Sequence, residues 1–293
     1  MTGRSGRGRR EIPRWSRRAR RASLGVVGAF VVAAVTAIAF LASFLAPMPP
    51  DRQDLQARLT PPSWAGGSSR HLLGTDHLGR DVLSRLLHGT RSTLLVAGIA
   101  VTLAGGVGTT CGLLAGYYGG RVDAVLSRIM DVQLAIPYML LAIVIVMLLG
   151  PGVVNTIAVL VVGGWVVYAR LVRAEVLSLR SQDFVLAARA LGNPDFRILL
   201  RHVLPNTMSS LVVVATIELA NNMLFESSLS FLGLGVRPPL ISWGAMLSDG
   251  RDYLLVAWWA AVFPGIAITL TIFGINQLGD WLRDLLDPRL RLS

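Results

Sequence analysis

The sequence contains no lysine, because all 28 of its basic residues are arginine. This absence excludes two kinds of chemistry. A P-loop needs a lysine on the nucleotide phosphates, and an enzyme that works through a Schiff base needs a lysine amine. Any ATP that this protein uses must therefore be bound by another chain.

Cysteine, histidine and charged residues are also scarce. The single Cys111 lies in an apolar run and has no second cysteine to pair with, so we interpret it as a small packing residue. The four histidines, at 71, 77, 88 and 202, lack the spacing of zinc ligands, and we predict no metal site and no catalytic residue. Only 15% of the residues are charged and 53% are hydrophobic, with a mean hydropathy of +0.58. These values are typical of an integral membrane protein.

Six apolar segments are long enough to cross a bilayer as helices. They are Leu24–Ala46, Leu94–Tyr117, Met130–Leu149, Val153–Ala169, Asn206–Leu229 and Tyr253–Asn276. The predicted fold is therefore an all-α integral membrane protein with six transmembrane helices. We divide the chain into a basic tail (1–22), a first transmembrane helix (23–46), an extracytoplasmic segment (47–89), a transmembrane core (90–280) that includes a polar segment (182–206), and a C-terminal tail (281–293).

The arginines predict the orientation. Nine of them lie between residues 4 and 21, a pattern that also occurs in nucleic-acid-binding tails. Because an apolar span follows at once, we favour a cytoplasmic anchor beside anionic lipid and expect no nucleic-acid partner. With the N-terminus inside, the inner segments hold 20 arginines and the outer segments hold 8. Both termini and the segment 183–206 are therefore predicted to be cytoplasmic.

The extracytoplasmic segment ends in a predicted amphipathic helix, Asp81–His88, at the membrane interface. Its apolar side is expected to face lipid or protein, with Arg80 and Arg85 pointing outward. The second span then carries a small residue at every fourth position, which on a helix forms one stripe that lets a neighbouring backbone approach closely. The stripe comprises Ala100, Ala104, Gly108, Gly112, Gly116 and Gly120. The sequence leaves open whether the neighbour belongs to this chain or to a partner.

The polar segment Asp183–Asn206 is not a transmembrane span. Six arginines lie between residues 170 and 201, and each costs about 3 kcal/mol at the centre of a membrane helix. We predict a helix capped by Asp183, a break at residues 192–194 and a second helix capped by Asp195. The first helix is expected to align four residues on one side: Phe184, Ala187, Ala188 and Leu191. A helix–break–helix on the basic side of a membrane protein is suited to docking a soluble partner.

The residues of this segment carry a family resemblance. Ala187-Ala188-x3-Gly192, followed after nine residues by His202-Val-Leu-Pro205, resembles the cytoplasmic coupling loop of importer-type ABC permeases, in particular the dipeptide, oligopeptide and nickel family. The segment from Gly74 to Ser92 (GTD-x-x-GRDVLSR, then G-x-RS) and the stretch FESSLSFLGLGVRPPLISWG (225–244) are similar to C-type peptide permease subunits. Together the three motifs extend the resemblance over most of residues 72–288.

The resemblance implies a five-helix permease core with one peripheral N-terminal helix, forming half of a translocation pathway for di- or oligopeptides in a bacterial cell membrane. It implies a homologous B-type permease, one or two cytoplasmic ATPase subunits that bind ATP and Mg²⁺, and an extracytoplasmic binding protein as partners. This chain is then a non-catalytic subunit.

The coupling residues implied are Asp183, Phe184, Ala187, Ala188, Arg189, Gly192, Arg197, His202 and Pro205. Arg237 and Trp243 lie in the loop implied to contact the binding protein. Nickel chelates, glutathione and haem are alternative substrates.

The fifth span carries Glu218, Asn222 and Glu226 on one side, with the two carboxylates within about 80° of each other on a helix. A carboxylate inside a membrane costs a few kcal/mol unless it has a partner. These residues either line a translocation pathway, where Glu226 attracts a peptide's ammonium group or the pair forms bonds across a gate, or they are bonded to neighbouring helices.

Two other classes of protein remain to be weighed. A proton-coupled secondary transporter would use Glu218 and Glu226 as a proton relay, and its transport would survive removal of the ATPase. An intramembrane enzyme would need a nucleophile–base pair or metal ligands at one depth, and no histidine or cysteine is suitably placed within the predicted spans.

Overall fold

A computed structural model describes residues 14–286, with side chains from Ser23 onward. The described chain is helical, and its ten α-helices are α1 (Arg14–Leu45), α2 (Val82–Tyr118), α3 (Gly120–Ala135), α4 (Tyr138–Leu149), α5 (Val153–Leu179), α6 (Asp183–Ala190), α7 (Asp195–Ile198), α8 (Leu204–Phe231), α9 (Trp243–Arg251) and α10 (Trp259–Leu286). A π-helical turn, Leu199–Val203, joins α7 to α8. The prediction of an all-α protein is confirmed.

Five helical segments are long and apolar enough to cross a membrane. They are Ser23–Leu45, Val82–Tyr118, Val153–Leu179, Asp195–Phe231 and Trp259–Leu286. The predicted third span, Met130–Leu149, is wrong as a single straight helix, because α3 and α4 meet at 89°. The break lies at Pro137, which has no N–H to donate, and the preceding Ile136 is extended, as the residue before a proline prefers to be.

The packing of α2 against α5 shows that the bent pair α3–α4 still returns the chain across the bundle. The contacts advance in the same direction along both helices: Gly108 lies against Trp165, Gly112 against Ala169, and Gly116 against Val176. The two helices are therefore parallel. Since α3 starts at the end of α2 and α4 ends just before α5, the connection between them runs back from one end of the pair to the other. This path makes α3–α4 a broken sixth crossing.

The stripe of small residues on α2 therefore faces α5 of the same chain, which answers the question of its neighbour; Gly120, predicted to continue the stripe, is instead the first residue of α3. A Cβ atom on Gly112 would lie 2.6 Å from the Ala169 carbonyl oxygen. In lipid, such close packing has to stabilise the helix pair, because lipid tails are as apolar as the side chains themselves.

We expect Gly112→Leu to destabilise the bundle by about 1–3 kcal/mol or more, since overpacking forces the two backbones apart. Gly106→Leu is the matched control, because Gly106 lies on the exposed side of the same helix with no atom within 4 Å of an added Cβ. Thermal unfolding in detergent measures the difference. Equal melting temperatures for the two variants would contradict the close packing of α2 on α5.

The N-terminal helix α1 lies outside the other spans and runs antiparallel to α10. Gly25 lies against Trp281, and a Cβ on Gly28 would meet the Gly274 carbonyl oxygen at 2.7 Å. Much of the rest of α1 is exposed, including Phe30, Phe40 and Phe44. The predicted arrangement of one peripheral helix beside a five-helix core is confirmed.

The predicted amphipathic helix Asp81–His88 forms the first turns of α2 rather than a separate element. Asp81 caps α2, since its carboxylate accepts from the Ser84 N–H at 2.8 Å. The predicted boundary between residues 89 and 90 therefore falls inside a 37-residue helix. The outward orientation predicted for Arg85 is wrong, because its guanidinium is buried between two carboxylates.

Candidate coupling site and outer surface

The polar segment after α5, residues 183–206, forms a bracket at the end of the bundle where α2 and α5 finish. Val185 and Ala188 of α6 are buried on one side of that helix. They pack in one apolar cluster with Ile198, Leu199 and Val203, which lead into α8, and with the ends of α2 and α5. The bracket is thus held by the same spans that it connects.

The turn of the bracket requires Gly192. Its φ of +76° is left-handed, a conformation that costs glycine little. The Gly192 N–H donates to the Arg189 carbonyl at 3.0 Å, and the Asn193 N–H donates to the Ala188 carbonyl at 3.2 Å. This is a Schellman motif, which satisfies the last carbonyls of α6.

Tyr117, at the end of α2, ties the two arms of the bracket together. Its hydroxyl donates to Asp195 Oδ1 at 2.7 Å, and the Arg189 guanidinium lies 5.3 Å from the centre of its ring. The predicted cap at Asp195 is wrong, because Pro194 occupies the cap position and the carboxylate binds Tyr117 instead. Asp183 is likewise the first helical residue of α6, and Gln182 precedes it without a side-chain cap.

The outward side of the bracket presents large apolar side chains. Phe184 is 38% exposed, Leu191 82% and Phe196 72%, and Ala187 is exposed beside them. We call these four residues the apolar ridge. Ala188, predicted to lie on this side, is only 6% exposed and belongs to the core of the bracket. It lies inward because its partners are Val185 and the ends of α2, α5 and α8.

Four other predicted coupling residues lie on or near the surface of the bracket. Asp183, Arg197 and Pro205 are exposed and His202 is half-buried. Pro205 is the second residue of α8 and directly follows the π-helical turn Leu199–Val203. The bracket therefore combines an apolar ridge with a polar and basic surround.

On the opposite end of the molecule, the prediction for Trp243 is wrong. Trp243 is buried, and its indole N–H donates to the Leu86 carbonyl at 2.9 Å, so it does not present a surface to another protein. Trp259 is also buried, and its indole N–H donates to the Thr75 carbonyl at 3.0 Å. Arg237 is exposed, as its predicted role requires.

A charged cluster fastens the segment between α1 and α2 to α2 and α9. Arg80 and Arg85 donate to Asp76 Oδ2 at 2.7 and 2.5 Å, and to Asp249 Oδ2 at 3.0 and 3.2 Å. Burial acts to raise the pKa of Asp76, but the Arg85 and Arg80 guanidiniums and two backbone N–H groups outweigh it and hold the pKa below its ordinary value.

The charged cluster also includes the one metal-like grouping among the described residues. Ligand atoms of Asp76, His77 and Asp249 lie within 4.8 Å of one another. Both carboxylates are occupied by guanidiniums, which neutralise the charge that a cation would need. The geometry therefore favours an ion-pair network.

The structure contradicts the pathway prediction for Glu218, Asn222 and Glu226. Residues that line a pathway shared between two chains must be exposed on one chain alone, but all three are buried inside the bundle. Glu218 accepts from Asn221 Nδ2 at 3.1 Å, and Glu226 accepts from the Ser230 hydroxyl at 2.8 Å. The exposed side of α8 instead carries apolar residues: Met208, Val212, Ile217 and Leu224.

Comparison with known proteins gives this architecture a family. The family model described as the inner membrane component of binding-protein-dependent transport systems matches residues 108–292, which include α5, the bracket and α8. The N-terminal transmembrane domain of oligopeptide transport permease C matches residues 14–62. The chain belongs to the C-type permeases of ABC importers. The two matches together include the end of α2 from Gly108 onward, α5, the bracket and the peripheral helix described above.

Curated relatives of the permease cover nearly its whole length. It is 45% identical over 254 residues to the di/tripeptide transport system permease protein of Pseudomonas aeruginosa, covering 86% of this chain and 84% of that one. It is 40% identical over 276 residues to the dipeptide transport system permease protein of Bacillus subtilis, covering 94% and 85%. A glutathione transport system permease protein of Pectobacterium atrosepticum is 42% identical over 275 residues, covering 94% and 90%.

Solved structures support the fold. An inward-facing structure of the MetNI methionine ABC transporter is similar to the permease with a TM-score of 0.56 and 20% identity, covering 69% of this chain and 96% of that chain. A crystal structure of an amino acid ABC transporter gives a TM-score of 0.51 and 16% identity, covering 71% and 94%. The permease is a multi-pass inner membrane protein.

Proposed function

We propose that the permease forms half of the translocation pathway of an importer for di- and oligopeptides. A homologous B-type permease forms the other half. Cytoplasmic ATPase subunits bind ATP and Mg²⁺, and an extracytoplasmic binding protein delivers the substrate. The arginine distribution supports cytoplasmic termini, and the names of the peptide-transporting relatives support the substrate class.

The apolar ridge is the observation that carries the coupling role. Phe184, Leu191 and Phe196 are large apolar side chains of the bracket that remain exposed within the described chain. Burying them against an ATPase removes their apolar area from water. The flanking arginines provide charged groups around that contact.

The mechanism follows from how the bracket is attached. When ATP closes the ATPase dimer, the ATPase surface that contacts α6 moves, and α6 moves with it. Since Val185, Ala188 and Tyr117 fix the bracket to α2, α5 and α8, the movement reaches the spans without passing through a flexible linker. The free energy that drives this movement is the difference between the free energies with which the bracket binds the two ATPase states. Rotation of α8 and α10 then changes which side of the membrane the pathway opens to.

Uptake of a labelled dipeptide into vesicles tests this proposal. We expect ATP-dependent, binding-protein-dependent uptake by the complete complex and none when the ATPase subunits are omitted. The glutathione-transporting relative makes glutathione the second substrate to test. Uptake that persists without the ATPase and stops when the proton gradient is dissipated would favour a secondary transporter instead.

A further inference from the structure

Glu226 is the most deeply buried carboxyl group of the membrane spans, and among the described residues it has no basic partner. It is 0% exposed, its Oε1 accepts from the Ser230 hydroxyl at 2.8 Å, and the Ser227 and Ser242 hydroxyls also lie close to its carboxyl group. Its second oxygen, Oε2, has no hydrogen-bond partner among the described residues. A carboxyl group buried in this way is costly in a membrane protein, so its bond to Ser230 should have a role beyond packing.

The Ser230 hydroxyl connects Glu226 to the loop between α8 and α9. Ser230 Oγ accepts from the Val236 N–H at 3.2 Å, and the Ser242 hydroxyl lies 3.5 Å from it. Ser242 in turn caps α9, because its Oγ accepts from the Ala245 N–H at 3.2 Å. Both ends of residues 236–242 are therefore fastened to one hydroxyl, which is itself oriented by Glu226.

The backbone around this hydroxyl approaches so closely that side chains are excluded. A Cβ on Gly235 would lie 2.0 Å from Ser230 Oγ, and one on Gly244 would lie 2.6 Å from Ser227 Cα. Val236 and Ile241 are buried next to these contacts, whereas the four residues between them, Arg237–Leu240, are all exposed. The loop thus consists of a fixed base and a short exposed tip that carries one positive charge.

We infer that Glu226 is a positioning residue, which through Ser230 holds the tip Arg237–Leu240 in a fixed conformation for docking of the extracytoplasmic binding protein. This inference rests on the proposed function. The tip lies at the outer end of α8, opposite the coupling bracket, and the family is one whose transport depends on a binding protein. A loop held in its docking conformation loses less conformational entropy on binding. The positive charge of Arg237 predicts a contact with an acidic group of the binding protein.

The test uses the complete importer in nanodiscs, with the binding protein titrated against ATP hydrolysis. Glu226→Leu and Ser230→Ala each break the chain of hydrogen bonds. We expect each to raise the binding-protein concentration for half-maximal stimulation of ATP hydrolysis by about fivefold, because a fivefold change corresponds to the net contribution of one hydrogen bond. Glu226→Gln keeps an acceptor for Ser230 and is expected to behave as wild type. Ser228→Ala is the matched control, because that hydroxyl donates to Leu224 within its own helix.

Hydrogen–deuterium exchange provides a second readout that does not depend on function. Faster exchange of the Val236 amide in Ser230→Ala, but not in Ser228→Ala, is expected. An unchanged exchange rate of the Val236 amide in Ser230→Ala overturns the inference. So does faster exchange without a change in the binding-protein concentration for half-maximal stimulation. Wild-type stimulation of an Arg237→Glu variant also overturns it. If Glu226→Leu does not assemble, Ser230→Ala decides. A wild-type complex that no binding protein stimulates instead contradicts the proposed function itself.

Discussion

Phe184→Asp is expected to reduce peptide uptake by about 30-fold or more while leaving the permease folded, since an aromatic hot spot in an interface contributes about 2 kcal/mol or more. Phe184 is 38% exposed on the apolar ridge, so its replacement leaves the core of the bracket intact. Uptake in vesicles, divided by the amount of assembled complex, measures the effect.

Two adjacent alanines distinguish a loss of docking from a loss of folding. Ala187→Glu places a charge on the ridge, where we expect an assembled complex whose ATP hydrolysis no longer drives uptake. Ala188→Glu places the same charge in the core of the bracket, where we expect poor folding, because Ala188 is buried among apolar side chains. A Phe184→Asp or Ala187→Glu permease with normal coupled uptake would contradict docking through the ridge.

Arg85→Ala is expected to destabilise the permease by about 3–5 kcal/mol at neutral pH, the cost of removing one partner from a buried ion pair. The change leaves the buried carboxylate of Asp76 with Arg80 alone and removes one of the two cations on Asp249. Arg91→Ala, less than two turns further along α2 at an exposed position, is the matched control and is expected to change stability by no more than about 0.5 kcal/mol. Thermal unfolding followed by tryptophan fluorescence measures both.

The same charged cluster predicts a dependence on pH. Because the folded pKa of Asp76 lies below its ordinary value of 3.8, the carboxylate stabilises the fold fully above that value. The stabilisation is lost as the pH falls through the folded pKa. The difference between wild type and Arg85→Ala should therefore be largest at neutral pH and shrink below about pH 4. A difference that grows on acidification would contradict the ion-pair role of Asp76.

The sequence predicted the spans and the bracket because their signals are local. Apolar runs of 17 or more residues predict membrane helices, and the glycine before Asn193-Pro194 predicts the turn that Gly192 makes. The third span was predicted as one helix, whereas the structure bends it by 89° at Pro137. A proline inside an apolar run is compatible with a kinked helix as well as with a right-angled turn, and packing decides between them.

Long-range partners explain most of the other errors. The burial of Arg85 is hard to predict because one of its two carboxylate partners, Asp249, is 164 residues away in the chain, and the other, Asp76, lies outside the helix that carries Arg85. Ala188 and Ala187 were indistinguishable by spacing, since the inward side of a two-turn helix depends on what it packs against. Tyr117 was not singled out, although a tyrosine at the end of a span shortly before a polar link was a weak signal for an anchoring hydroxyl.

Site-directed cross-linking tests the central claim most directly. Cys111 is the only cysteine, so Cys111→Ala gives a cysteine-free background. Adding Leu191→Cys places a single thiol on the ridge, at a residue that is 82% exposed. Adding Leu255→Cys instead places it at an exposed position after α9. We expect Leu191→Cys to cross-link to an ATPase subunit and to resist a membrane-impermeant maleimide added to intact cells, whereas Leu255→Cys reacts from outside. Labelling of Leu191→Cys from the outer surface, or an assembled complex in which it never cross-links to the ATPase, would contradict the coupling role.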